Sequence, residues 1–244
     1  DVNTEGSVYT SPLYSSKNTV TPSNAPFNQD GSYATDFPRN GDRNPKSTAD
    51  LNYDKAWINR SFNTVFGSYD LTSNLKIKRT FSYDFSINKG RSWRDPRTSD
   101  GAKDNGRTDK VYSDRKYWVW TNILSFEKTF KEKHNVDAVI GYEVDSKFRD
   151  ELYGTKKNFP SINDRDIENG SIPYAVGGYF RQTRMVSYIS KLNYNYDNKY
   201  YLGGSFRRDG SSKLASKNRW GNFWSVSGAW RVTGEDFMNS ISNI

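Results

Sequence analysis

The sequence predicts an all-β fold, an antiparallel transmembrane β-barrel, on three observations. Aromatic residues make up 16% of the chain while all hydrophobic residues together reach only 34%. That balance suits interfaces more than a core of Leu, Ile and Val. Seven stretches alternate with period two, and the clearest, Leu75 to Ile87, is far longer than the roughly 5 or 6 residues usual in soluble sheets. Short and long connections then alternate between these stretches, as they do in membrane barrels with short turns on one side and long loops on the other.

Taken in order, residues 1–56 carry Pro12, Pro22, Pro26, Pro38 and Pro45 among many Ser, Thr and Asn, and read as a long external loop region. Residues 57–244 read as the partial barrel. Its first strand is expected at 57–70. In the second, 75–88, Leu75, Ile77, Phe81, Tyr83, Phe85 and Ile87 share one face, broken by Arg79, and Lys76, Lys78, Thr80, Ser82, Asp84 and Ser86 share the other. Leu71-Thr72-Ser73-Asn74 joins the two. Strands three and four, 116–129 and 135–149, are joined around Lys131 to His134, and five and six, 184–197 and 199–208, around Asn198. The seventh is expected at 220–233. In the fifth, Tyr188, Leu192, Tyr194 and Tyr196 oppose Lys191, Asn193, Asn195 and Asp197. That second face is too polar for a sandwich interior and suits a wet lumen. The Gly-, Asp-, Asn- and Arg-rich stretches 89–115 and 150–183, with a shorter one at 209–219, read as external loops, and Gly234 as the start of a further turn. Seven strands leave two open edges, which a membrane barrel does not tolerate, so more strands are expected to complete it. A soluble carbohydrate-binding β-sandwich is the alternative architecture.

Composition narrows the function classes. There is no Cys and one His, so disulfide scaffolds, thiolate metal sites and Cys-His nucleophile pairs are excluded. His134 sits in the charged run Lys131-Glu132-Lys133-His134-Asn135 and reads as a solvated turn residue. No apolar run reaches the ~20 residues of a transmembrane helix, with mean hydropathy −0.93. The formal charge of +8 is scattered among acidic residues, so nucleic acid is not expected as a partner. Asp1-Val2-Asn3-Thr4-Glu5 lacks the basic and apolar regions of an export signal, so a piece of a longer, processed chain is expected.

The most specific words lie between Asn198 and Met238. They are Lys199-Tyr200-Tyr201-Leu202, Ser205-Phe206-Arg207-Arg208-Asp209-Gly210-Ser211-Ser212, Asn218-Arg219-Trp220-Gly221 and Phe223-Trp224-Ser225-Val226-Ser227-Gly228-Ala229-Trp230-Arg231. This series resembles the strand-loop-strand signature of SusC/RagA-type TonB-dependent outer-membrane transporters, close to KYLL, SFRRDGSSRF, NRWG and FPSVSAGWR. It departs from it at Trp224, where the family has Pro, and at Lys213-Leu214, where Arg-Phe is usual. Weaker similarities sit at Phe27 to Tyr33, Leu75-Lys76-Ile77, His134-Asn135-Val136 and Ile140-Gly141-Tyr142-Glu143. The resemblance implies about a quarter of a protein with a plug and a barrel of about 22 strands. It also implies a role in importing oligosaccharides or peptides, with a SusD-like lipoprotein lid, outer-membrane lipid and TonB as partners. TonB would act through regions absent from this segment.

Within the signature, Arg207, Arg208, Asp209, Gly210, Ser211 and Ser212, with Arg219, Trp220, Gly221 and Trp230, read as structural. Asp-Gly is a turn signal, and the arginines anchor a strand end; the competing reading is an anion cradle of Gly and Ser amides. Trp118, Trp120 and Trp230 suit an aromatic belt. Trp93, Tyr112 and Tyr153, in or beside the long loops, are candidates to contact a ligand by stacking, with loop packing the plainer role. Asp164, Asp166, Glu168 and Asn169 offer alternate oxygens, but Gly170 falls one place late for a calcium loop and no bidentate Glu follows. No catalytic set, metal site or cofactor is expected; the abundant carboxylates leave a two-carboxylate glycosidase formally open.

Overall fold

The structure, a computed structural model, describes residues 2–3, 16–17, 20–37 and 43–238. Asp1, Thr4, Glu5, Pro12 and Pro38 lie outside the described residues. Eight strands form one antiparallel meander in chain order. They are β1 (Val2–Asn3), β2 (Tyr53–Thr72), β3 (Leu75–Arg94), β4 (Arg107–Phe130), β5 (His134–Lys157), β6 (Ile172–Tyr196), β7 (Tyr200–Ser211) and β8 (Trp220–Trp230). Seven are long, and the short β1 pairs only Val2 with Ala56 and Asn3 with Lys55. Among the described residues there is this one sheet and no second sheet packed on it, so the β-sandwich alternative falls. No described helix is long and apolar enough to cross a membrane.

The strands run further than the alternating pattern. β4 and β5 have 24 residues each and β6 has 25, so 89–115 and 150–183, read as loops, are largely strand. The true connections are 95–106, 158–171 and 212–219. The physical reason is that apolar alternation records only where one face meets an apolar medium. Beyond it both faces are polar, yet the ladder persists through backbone bonds and side-chain pairs. Ser92 Oγ and Thr155 Oγ1 each donate to Asp109 at 2.7 Å, tying three such strands together. Conversely, β8 stops at Trp230, and Val232–Gly234 is a 3-10 turn.

Short turns need unusual backbone. Lys131 and Glu132 (φ 47° and 61°) and Asp197 and Asn198 (φ 53° and 52°) adopt left-handed conformations between β4 and β5 and between β6 and β7. Asp and Asn tolerate this region better than most residues. His134 is the first residue of β5 and not a solvated turn residue. Its ring packs 5.0 Å from Tyr196 and its Nδ1 lies 2.8 Å from the Tyr194 hydroxyl.

The chain forms two compact units. One comprises Asp1–Arg60, Ser86–Arg115 and Arg149–Arg181, the other Ser61–Phe85, Lys116–Phe148 and Gln182–Ile244. In the first, Asn44 caps α1 (Pro45–Leu51), accepting from Lys46 N. Its Nδ2 donates to the Pro26 and Ala34 carbonyls at 2.7 and 2.9 Å, holding the Phe27 to Tyr33 bridge against the helix.

Candidate functional site

The second unit presents two chemically opposed faces, and register decides which residue goes where. Tyr188 pairs with Arg208, Leu192 with Gly204, Tyr194 with Leu202 and Tyr196 with Tyr200. Tyr200, Leu202, Phe206 and Arg208 pair in turn with Trp230, Gly228, Trp224 and Asn222. Paired residues share a face, so Leu192, Leu202, Phe206, Trp224 and Val226 form an apolar surface. It is unusually open, with Trp224 77% and Val226 76% exposed.

Aromatic rings close this surface at both ends. At one end Tyr188 stacks on Trp220 at 6.0 Å and packs at a tilt against Tyr142 at 5.4 Å. At the other, Tyr200 stacks on Trp230 at 6.4 Å and 8°, and Glu235 accepts from Tyr200 Oη at 2.6 Å and Trp230 Nε1 at 3.0 Å. The Tyr200 and Trp230 bonds hold the Glu235 carboxyl below its ordinary range. Trp220 and Trp230 are ten residues apart, roughly 33 Å along a strand at about 3.3 Å per residue, or about 23 Å of height after a tilt near 45°, close to the ~25 Å apolar band of membrane barrels. Trp118 packs on Phe81 at 6.5 Å on the same surface.

The opposite face is polar and satisfied. Asn135 donates to Asn195 at 3.0 Å, Asn193 to Asp137 at 3.0 Å and Thr121 to Glu143 at 2.8 Å. Part of it forms a depression of about 600 Å³ lined by Asn135, Asp137, Asn193, Tyr201 and Ser227.

The signature residues divide between these faces. Arg207 Nε holds Asp209 at 2.7 Å, its Nη2 donates to Ser187 at 3.0 Å, and Glu143 lies 3.9 Å away, all on the polar face. Arg208 lies 5.0 Å over the Trp220 ring on the other. Asp209 and Gly210 are within β7, opposite Gly221 and Trp220, so Asp-Gly is not a turn here. The glycine is needed because a Cβ at Gly210 would fall 2.8 Å from the Trp220 ring. Ser211 N donates to Arg219 O at 3.1 Å and Ser212 N to Arg184 O at 2.9 Å, closing the 212–219 loop.

In the first unit the three candidate aromatics part company. Trp93 is fully buried, set edge-on to Phe159 at 4.9 Å with Arg165 at 5.6 Å over its ring. Tyr112 and Tyr153 are exposed and line, with Trp57, Leu152, Arg91 and Lys110, a depression of about 420 Å³. Trp57 was missed as a candidate because nothing local to the sequence places it beside residues 55 and more positions away.

Beside Trp93, Asp95 is also fully buried. Burial alone would raise its carboxyl, but bonds from Arg97 (Nε 2.8 Å, Nη2 3.0 Å), the Arg97 amide and Trp93 prevail, and it sits below the usual range. Asn52 Oδ1 receives the Asp95 amide at 2.7 Å and Thr98 Oγ1 donates to the Asp95 carbonyl at 2.7 Å. In the stretch weighed for calcium, Asp166 takes Lys110 Nζ at 2.5 Å and caps Ile167 N at 2.7 Å, so its carboxylate is already engaged. Among the described residues no group of three or more His, Asp or Glu is placed to hold a metal ion.

No family model matches the chain. It is 24% identical over 220 residues to TonB-dependent receptor P3 and 26% over 257 residues to TonB-dependent receptor P39, both of Formosa agariphila, matching 89% and 98% of this chain. A 64-residue stretch, 26% of this chain and 6% of the relative, is 36% identical to TonB-dependent receptor SusC of Bacteroides thetaiotaomicron. The chain spans 22–23% of the length of the two Formosa relatives. Its fold matches a solved RagAB peptide transporter with a TM-score of 0.78 and 21% identity, over 91% of this chain and 25% of that one.

Proposed function

We propose that the chain is a piece of a SusC/RagA-type TonB-dependent receptor and builds part of the barrel wall and external loops of an outer-membrane transporter that imports oligosaccharides or peptides. The observation that carries this reading is the two-faced sheet of the second unit, whose apolar surface is bounded by aromatic rings about 23 Å apart in height for strands tilted near 45°. A polar opposite face suits a wet lumen or a plug, and long connections on one side suit contact with cargo and with a SusD-like lipoprotein lid. Energy would come from TonB through parts of the receptor beyond this chain. The role assigned is transport and not catalysis, and nucleic acid has no place in it.

The chain contains no Cys, so in a receptor whose remaining sequence is also free of Cys its topology is testable by single-cysteine labelling. In intact cells a membrane-impermeant maleimide should label Ser161→Cys, in the 158–171 connection, and spare Ser73→Cys, in the β2–β3 turn, until the membrane is permeabilised. Equal labelling of both before permeabilisation refutes the proposed orientation. Co-purification of a lipoprotein with the tagged receptor tests the lid, and loss of oligosaccharide or peptide uptake on deletion tests the cargo.

A further inference from the structure

The hairpin end formed by β7, the 212–219 loop and β8 carries more positive charge than its fold requires. From Arg207 to Trp224 there are five cations and one carboxylate, Asp209, and that carboxylate is held by Arg207 on the polar face. Arg208, Lys213, Lys217 and Arg219, with Arg184 on β6, have no carboxylate partner among the described residues.

Two of these cations lie on the apolar side of the sheet. Arg208 pairs with Tyr188 in register and lies over Trp220. Arg184 is four residues from Tyr188 along β6, so period-two alternation puts it on the same face. Its backbone is fixed by Ser212, whose Oγ receives the Arg184 amide at 2.8 Å. Both arginines are exposed, and both stand at the Tyr188/Trp220 end of the apolar surface. The opposite end is built differently, since there Glu235 accepts from Tyr200 and Trp230 and faces Lys199 at 3.5 Å. Cations beyond a ring of aromatics, at the level where acyl chains give way to headgroups, are placed to meet anionic lipid.

We propose that Arg184 and Arg208, backed by Lys213, Lys217 and Arg219, bind the phosphate groups of an anionic glycolipid of the outer leaflet, with Tyr188 and Trp220 against its acyl-headgroup junction. This rests on the barrel reading above, since it needs the Trp220 end to lie at a membrane surface. Guanidinium groups bind phosphate through paired N–H donors, and the clamp to Ser212 keeps Arg184 at the strand end.

The test uses the full receptor carrying this chain, in detergent, titrated with diphosphoryl lipid A and read by native mass spectrometry. The wild type should retain the lipid, and R184Q/R208Q should weaken it about 25-fold, or about fivefold per cation removed. R208K, which keeps the charge, should lose less than the single R208Q. Equal affinity of wild type and double variant, or equal retention of the same lipid stripped of its phosphates, overturns the proposal. Comparable binding of inorganic phosphate assigns the corner to a soluble anion and overturns the lipid assignment. Heat-modifiable gel mobility reports the barrel separately. A wild type without it sinks the barrel reading and this proposal together, whereas with it present the lipid result stands by itself.

Discussion

Arg207 and Arg208 are adjacent in the chain and live in opposite environments, because successive strand residues point to opposite faces. Arg207 is locked to Asp209 and Ser187, while Arg208 rests on an aromatic ring. Substituting Arg207 therefore leaves Asp209 and Glu143 without their cation, and Arg207→Met should lower the stability of the strand end by about 1.5–3 kcal/mol, read by denaturant titration of the receptor. At Gly210 a methyl group would meet the Trp220 ring, so Gly210→Ala should displace the indole and change tryptophan emission. Asp95 supplies a pH prediction. Its folded carboxyl is depressed, so its stabilising contribution is present above the unfolded value near 3.9 and is lost as pH falls through the lower folded value. The protection of amides in 95–106 against exchange, corrected for the intrinsic pH dependence, should fall below about pH 4, and in Asp95→Asn this acid step should shrink. An unchanged acid step in the variant would show that another carboxylate governs the loop.

At the scale of the element, the β6–β7–β8 register turns sequence parity into environment. Phe206 and Ser205 are neighbours in mid-strand, but Phe206 faces Trp224 and Ser205 shares a hydrogen bond with Ser225 at 2.8 Å. Phe206→Lys should cost about 2–4 kcal/mol in refolding into lipid vesicles, whereas Ser205→Lys should cost little, because only the former puts an ammonium group toward the acyl chains. Comparable costs for the two would mean that the faces are misassigned. The same parity made the second and fifth segments legible from sequence. It stopped being informative past Lys89 and Arg149, where neither face is apolar, and the strands continued unseen.

For the whole molecule, the edges dominate. Among the described residues β8 has no partner beyond β7, and β2 is covered only at Ala56 and Lys55 by β1. Unpaired edges beside a broad apolar face are an invitation to aggregate in water. The isolated chain should therefore precipitate or form large oligomers without detergent, measured by light scattering during refolding. A monodisperse, cooperatively melting monomer in plain buffer would contradict a membrane-wall role.

The sequence by itself determined the antiparallel all-β class, the apolar and polar faces of the membrane-height segments, the alternation of short and long connections and the family words from Lys199 to Arg231. Each of these is written in local periodicity or contiguous motif. Only the tertiary structure decided that Asp209-Gly210 is strand, that His134 packs on Tyr194 and Tyr196, that Trp93 is interior while Trp57, Tyr112 and Tyr153 line one depression, and that Asp95 is tied to Asn52 and Arg97. Those outcomes depend on which distant strands lie side by side, and register between residues tens of positions apart leaves no local trace in the chain.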